Sequence, residues 1–595
     1  MTAGAAFYEV VMDSWLHPAL VFFVGSLLVP LLKERSRQVV LLLVPLLALL
    51  LVAGLTEGVY GEVGFLGLTL TFGRVDKLAL VFAWVFTIMA LLGAIYGLHV
   101  REAGHHAAGQ WYAGSALGAV FAGDYLTLFL FWELMAFSSV FLIWYRRTPG
   151  ALAAGYRYLL FHVFGGVCLL AGIMLAYAQT GSLAFIPFSP AETSLASYLI
   201  LAGFGLNAAV LPLHAWLPDA YPEATVEGAV LLCAFTTKTA VYVLARGFAG
   251  FEILAALGVA MTIFGVIYAV IENDMRRVLA YHIVSQVGYM VAGIGMGTAM
   301  SVNGACAHAF AHILYKALLF MGAGAVLYMA GTAKLSQLGG LARFMPLTML
   351  FYVIGAVSIS GFPLFSGFTS KSMILAAAHE EGRLYLMALM SLAAIGTFLS
   401  VGLKVTYFAF FSREPVTVVR EAPANMLVAM GLTAALCFLL GVYPEPLYAL
   451  LPAEVTWRPY TWHHLAEAFQ LLTMTGLVFW LMVKKLAPEE KINLDVDYFY
   501  RKGAASFVRF DERVLAPVDG WWGDLWKRGG LRFLSWQGRM AGAFDRIVID
   551  GLVDGCALVT LAAAARLRKL QTGALQTYLG LAVVFFFLVM IFWVA

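Results

Sequence analysis

His308, His312 and Lys316 recur at four-residue steps inside the apolar stretch CAHAFAHILYKALLFMGAGAV. On a helix this spacing puts three ionisable groups on one stripe. In lipid-soluble sequence each is costly unless it faces protein or a water-lined interior, so the chemistry they point to is ion movement. Imidazole accepts and releases a proton near neutrality, and a desolvated lysine can lose its proton and regain it when a carboxylate approaches.

Five further groups extend this set. Glu133 lies in YLTLFLFWELMAFSSVFLIW, Lys238 in LLCAFTTKTAVYVLA, Lys371 in SGFPLFSGFTSKS, Lys404 in FLSVGLKVTYFAFF, and His282 beside Ser285 and Gln286 in VLAYHIVSQVGYM. A carboxylate in lipid costs several kcal/mol or becomes neutral. The structural alternatives are a neutral packing residue for Glu133, snorkelling for the lysines, and a satisfied core role for a histidine. Arg157 and His162, in GYRYLLFHVFGG, are weaker candidates. His105, His106, His463 and His464 read as connector or loop residues without a role.

The elements that must hold these groups are membrane helices. Of 595 residues, 62% are hydrophobic and 12% charged, about half the charged share of an ordinary globular domain. Apolar runs of about 20 residues repeat along the chain, which gives roughly 14 to 16 spans and an all-α, polytopic protein in the lipid bilayer. The run Leu16 to Leu32 follows Glu9 and Asp13 without a good cleavage site and reads as a retained span. A net charge of +3 implies no nucleic-acid partner. The five cysteines form no metal or redox spacing, and no flavin or haem motif is visible, so no metal or cofactor is expected. WLPDAYPEAT at 216–225 and SGFPLFSGFTSKS at 360–372 interrupt their helices, as broken helices along ion paths do. Charged and aromatic residues mix over 486–545, which reads either as an interfacial segment or as a contact arm for a neighbouring subunit.

In order, FWELMAFSS, LPLHAWLPDAYPEA, TTKTAVYVL, RRVLAYHIVSQVGYM, HAFAHILYKALLF and GFPLFSGFTSKS resemble the antiporter-like proton-conducting membrane subunits. This family is shared by respiratory complex I, membrane-bound hydrogenases and Mrp-type cation/proton antiporters, and the D-type Mrp subunits look nearest. The resemblance implies two inverted five-helix repeats, each with a discontinuous helix. It makes Glu133 similar to a glutamate that pairs with a lysine, and Lys238 to the lysine of the first broken helix. His282 falls in the motif of the following helix; His308, His312 and Lys316 match the relay between the halves, and Lys371 the terminal lysine. Where complex I subunits often carry a lysine, this chain has Arg157 and His162, and Glu227 is an unusual added acid.

Residues 1–110 are then expected to be N-terminal helices, 111–412 the conducting core, 413–485 additional helices, 486–575 the arm and 576–595 a last span. The implied function is proton translocation in a multi-subunit Na+/H+ antiporter of the cell membrane, with other membrane subunits as partners and Na+ or K+ as the exchanged cation. The alternatives are a redox-driven complex and a non-conducting structural subunit.

Overall fold

The computed structural model describes residues 15–412, 419–491 and 493–594. Glu9 and Asp13 lie outside the described residues. Helices α1 (Pro18–Leu28) and α2 (Glu34–Ala53) lead to a hairpin, β1 (Gly58–Phe65) and β2 (Leu68–Val75), and then to α3 (Lys77–Tyr96). The hairpin is an addition to the all-helical expectation. Leu66 and Gly67, both at positive φ (49° and 80°), form the two-residue turn that matches strand twist, and Leu70 and Val75 face inward.

Two similar halves follow. The first contains α4 (Ala103–Phe121), α5 (Tyr125–Trp144), α6 (Pro149–Thr180), α7 (Leu195–Asn207), α8 (Trp216–Ala220), α9 (Val226–Leu232) and α10 (Thr236–Gly247). The second contains α11 (Glu252–Ile271), α12 (Met275–Met296), α13 (Ala299–Ala330), α14 (Pro346–Ile359), α15 (Ser366–Glu380) and α16 (Leu384–Thr397), which runs on as π-helix to Phe411.

Local chemistry sets the same landmarks in each half. Asp124 and Asp274 cap α5 and α12 by accepting from backbone amides of the first turn. Thr148 and Thr298 cap α6 and α13, each of 32 residues, and Gly181 and Gly331 end them in the left-handed conformation. Asp124 then bridges to Ala184, and Asp274 to Lys334.

The expected interruption at 360–372 is present; the run at 216–225 instead holds α8 and the turn after it, and the break before α8 lies just upstream, at 208–215. Between α7 and α8 the chain passes through Ala209 at φ 57° and a cis Leu211–Pro212 bond; between α14 and α15 it passes through Gly361 and Leu364, both at φ 75°. A third break, at Cys233–Phe235, separates α9 from α10. Beyond α16 come α17 (Ala424–Val442), α18 (Glu445–Leu450) and α19 (Trp462–Met482). Among the described residues thirteen helices are long and apolar enough to cross a membrane, and three apolar helices are shorter. Residues Tyr498–Ala595 form a separate unit. It holds most of a continuous 72-residue helix, Asp497–Arg568, and a final helix, Leu575–Val594, both without buried residues.

Bonds between connecting segments define two faces of the main unit. On one, Arg37 donates to the Arg101 carbonyl (2.6 Å), Arg146 to that of Pro222 (2.5 Å) and Arg276 to that of Thr225 (3.0 Å). On the other, Arg246 pairs with Asp76 (2.7 Å) and Arg383 with Glu252 (2.6 Å). The first face also carries Lys33, Arg35, Arg147 and Arg277, and is the basic face; the second has Arg74, Lys77 and Arg458 besides its paired arginines.

The core centres on α12 and α13. Without a hydrophobic driving force between helices in lipid, close contact of small residues holds them. A Cβ on Gly265 would lie 2.6 Å from Ser285 N and Tyr281 O, and one on Gly288 2.5 Å from Gly258 O. Gly265→Val is therefore expected to force α11 from α12 and to cost about 3 kcal/mol. The check is the midpoint of thermal disassembly in detergent; an unchanged midpoint contradicts this packing account.

Candidate functional site

The interruptions free backbone carbonyls, and Lys238 and Lys371 sit on such helix ends, while Lys404 sits on the ordinary end of α11. Lys238 Nζ donates to the Cys233 carbonyl at the α9–α10 break (2.7 Å) and to Thr237 Oγ1 (3.0 Å). Lys371 Nζ donates to the Ile359 carbonyl at the end of α14 (2.9 Å) and lies 5.0 Å from the Tyr289 ring centre. Lys404, on the π-helical part of the sixteenth helix, donates to the carbonyls of Val270 (2.6 Å) and Glu272 (2.9 Å) at the end of α11. Helix C-termini carry partial negative charge, so Lys238 and Lys371 have a local counter-charge without a carboxylate, while Lys404 also feels the charge of Glu272. All three lysines are buried, and Lys404 carries its ammonium to the connector end of α11.

Between Lys238 and Lys371, α13 carries His308, His312 and Lys316, all fully buried. His308 Nδ1 lies 3.0 Å from Ser370 Oγ, whose own proton goes to the Ser366 carbonyl (3.0 Å); Nδ1 therefore holds a hydrogen. Its Nε2 faces both Gln286 Oε1, an acceptor, and Tyr315 OH, a donor, each at 3.3 Å. Protonated, the ring donates to Gln286; neutral, it accepts from Tyr315. These hydrogen positions follow from the network. The next ring, His312, lies 6.2 Å from His308 centre to centre, with neither nitrogen bonded to a described residue. Lys316 Nζ is likewise unbonded, and the charges of Lys238, Lys316 and Lys371 all act on His312.

His282 joins this system from α12. Its Nε2 lies 2.6 Å from Ser400 Oγ, which gives its proton to the Gly396 carbonyl (2.6 Å), so Nε2 donates and Nδ1 is left as a free acceptor. A cavity of about 840 Å³ runs from Lys371 to His379, Glu380, His463, His464 and Glu467 between α15, α16 and α19.

Other expectations require correction. Glu133 does not pair with Lys238: it is half-buried over Gly166, its Oε1 is unbonded, and no salt bridge reaches it among the described residues. Arg157 is not a free edge residue but makes two bonds to Asp219 (2.7 and 2.9 Å). His162 is buried and stacked on Tyr158, 4.0 Å between centres. His105 and His106 are buried on α4 rather than in a connector, and His463 and His464 form the first turn of α19.

Three residues escaped the sequence reading. Asn207, fully buried at the end of α7, has both amide atoms unbonded. His214, in the break before α8, donates through Nε2 to Asp495 Oδ1 (3.2 Å), and Tyr281 OH donates to Asp495 Oδ2 (2.8 Å). Asp495 belongs to the strap after α19, which is also fixed by Tyr268 OH on the Leu494 carbonyl (2.8 Å). Polar residues flanking Pro212 were the available clue to Asn207 and His214.

Residues 122–400 match the sequence profile of the NADH:quinone oxidoreductase/Mrp antiporter transmembrane family. The D-type Na(+)/H(+) antiporter protein of Alkalihalophilus pseudofirmus is 33% identical over 355 residues, 56% of this chain and 71% of the relative. The chain belongs to this family. Another similar protein, a component of the F(420)H(2) dehydrogenase of Methanosarcina mazei, is 26% identical over 593 residues and 85% of each chain. The fold matches a chain of the Mrp complex from Dietzia sp. with a TM-score of 0.67 at 22% identity, over 78% of this chain and 99% of that one. The fold of this chain is thus similar to that of a chain from a membrane complex.

Proposed function

We propose that this chain conducts protons across the cell membrane as a subunit of a multi-subunit Na+/H+ antiporter of the Mrp type, bound to other membrane subunits. The observation that carries the reading is His308 Nε2, which meets an acceptor in Gln286 and a donor in Tyr315. A ring satisfied in both protonation states loses little by changing between them, as a relay requires. Residues 111–412 are the conducting core, 1–110 and 413–485 flank it, 486–575 form an arm and 576–595 a last anchor.

The excess of Lys and Arg on the basic face supports a cytoplasmic orientation for it. A proton reaching Lys238 moves through Lys316, His312 and His308 to Lys371 and leaves by the cavity toward His379 and His463. Protonating one lysine repels charge on the next, and at a few Å in a low dielectric this amounts to roughly a few kcal/mol. His282 lies alongside with Lys404, and Glu133, outside the lysine line, answers to charge at the flank of α5. Carbonyl-held lysines and histidines suit H+ better than Na+, so the second cation is handled elsewhere in the assembly.

A redox-driven complex is the second reading, favoured by the 85% mutual coverage with the F(420)H(2) dehydrogenase component. The purified assembly in proteoliposomes decides between them. Proton movement driven by a Na+ gradient, without any electron donor, is the expected result; movement seen only with electron transfer to an acceptor favours the second reading.

A further inference from the structure

We propose that Glu227 takes up the proton for the lysine path from the basic face, with His99 and Asn425 positioning it; this rests on the conduction reading above. A cavity of about 590 Å³ opens on that face, and Glu227 in its wall is only 8% exposed. His99 Nε2 lies 2.8 Å from Glu227 Oε1. On the far side of the ring, the Asn425 amide nitrogen donates to the carbonyls of Ile95 (3.1 Å) and Tyr96 (2.8 Å), which fixes the orientation of the amide. The same nitrogen is 3.1 Å from His99 Nδ1. The two Asn425 amide hydrogens are shared among these three acceptors, so Nδ1 is met by a donor and the hydrogen of the neutral ring belongs on Nε2, which lies close to the carboxylate without an aligned hydrogen bond among the described residues.

Among the described residues no arginine locks Glu227 in its ionised form. Arg276, the nearby guanidinium on α12, instead gives Nη2 to the carbonyls of Tyr221, Ala224 and Thr225. Each neighbouring element contributes a group: Tyr96 and His99 from α3 and its following turn, His105 and His106 from α4, and Tyr328 from α13. Arg101, Glu102 and Arg146 form the outer wall. His105 Nε2 bonds Thr225 Oγ1 (2.8 Å) and its Nδ1 is unbonded; His106 Nε2 donates to the Val100 carbonyl (2.9 Å). A buried carboxylate thus lies between imidazoles and beside solvent, and among the described residues none of the cavity's arginines is ion-paired to it, an arrangement that accepts and gives up a proton.

The route inward is short. Glu227 opens α9, and the carbonyl holding Lys238 belongs to Cys233, about 9 Å further along that helix. On α4, His105 and Tyr112 share one face, and Tyr112 OH bonds Thr236 Oγ1 (2.6 Å) beside Lys238. A proton from water adds to a Glu227 oxygen and is then released to the neutral Lys238 amine, restoring the carboxylate. Only O–H and N–H bonds form and break, and no electrons change hands.

The test uses the whole complex in proteoliposomes. Glu227→Gln should lower proton flux about tenfold and flatten its dependence on basic-face pH, while Glu227→Asp restores most of both. The infrared signal of a protonated carboxyl formed during turnover should disappear in Glu227→Gln. Asn425→Leu leaves the carboxylate in place but removes the group that orients the His99 ring against it, so the pH profile should move away from that of the unaltered protein. A wild-type rate and profile in Glu227→Gln overturns the inference, as does an unmoved profile in Asn425→Leu if the glutamine variant fails to assemble. Should Lys316→Ala also leave flux unchanged, the conduction reading itself has failed; if Lys316→Ala stops flux and Glu227→Gln does not, only the uptake assignment falls.

Discussion

Lys316→Ala should lower proton flux through the assembled complex about a hundredfold and leave assembly intact. The lysine is fully buried, and its ammonium bonds to nothing among the described residues. Its removal therefore strands no partner, which is the usual source of loss when a buried ion is deleted. Thermal stability should hold or rise while transport collapses. Lys316→Arg sharpens the test: guanidinium keeps its proton throughout the accessible pH range, so charge is retained and exchange is lost. Proton flux in proteoliposomes, normalised to intact complex, is the measurement. Full flux in the arginine variant would mean that a fixed positive charge suffices, and the relay account would fall.

Asp495→Ala should release the strap after α19 and cost about 3 kcal/mol, because it leaves His214 and Tyr281 facing a buried gap where a carboxylate took their hydrogen bonds. Burial pushes the Asp495 carboxyl up, but the His214 hydrogen bond and charge, Tyr281 and the Val496 amide outweigh it and hold it below the ordinary range. An acid that ionises more readily folded than unfolded adds stability above its unfolded value, near ~3.9, and loses that contribution as pH falls through the lower folded value. Docking should thus be firm at neutral pH and weaken under strong acid. Hydrogen exchange over 493–497 reports it directly: faster exchange in Asp495→Ala at neutral pH is expected, and equal protection contradicts the docking role.

The ionisable residues of the path were legible because each interrupts an apolar run, and the four-residue rhythm of His308, His312 and Lys316 survives into α13 without change. Their partners were not, because serine, threonine and tyrosine are unremarkable in membrane helices. Ser370, Ser400 and Tyr315 gain meaning only when another helix delivers a histidine to them. His105 and His106 were misplaced because REAGHHAAG has the small and polar composition of a connector, while the fold supplies Thr225 and the Val100 carbonyl to satisfy them inside α4. The implied pairing of Glu133 with a lysine failed for a different reason. Similarity of motif fixed which residues were present, and the carbonyl of Cys233 had already taken the lysine.

That arrangement gives Lys238, Lys371 and Lys404 a property beyond charge storage. A helix end grips a cation by its dipole and by carbonyl lone pairs, and both attractions weaken when the amine is neutral. Losing a proton thus also unfastens the side chain, and gaining one fastens it again. On the proposed path each lysine would then act as a latch whose position is set by its own protonation, so that transfer and movement become one event.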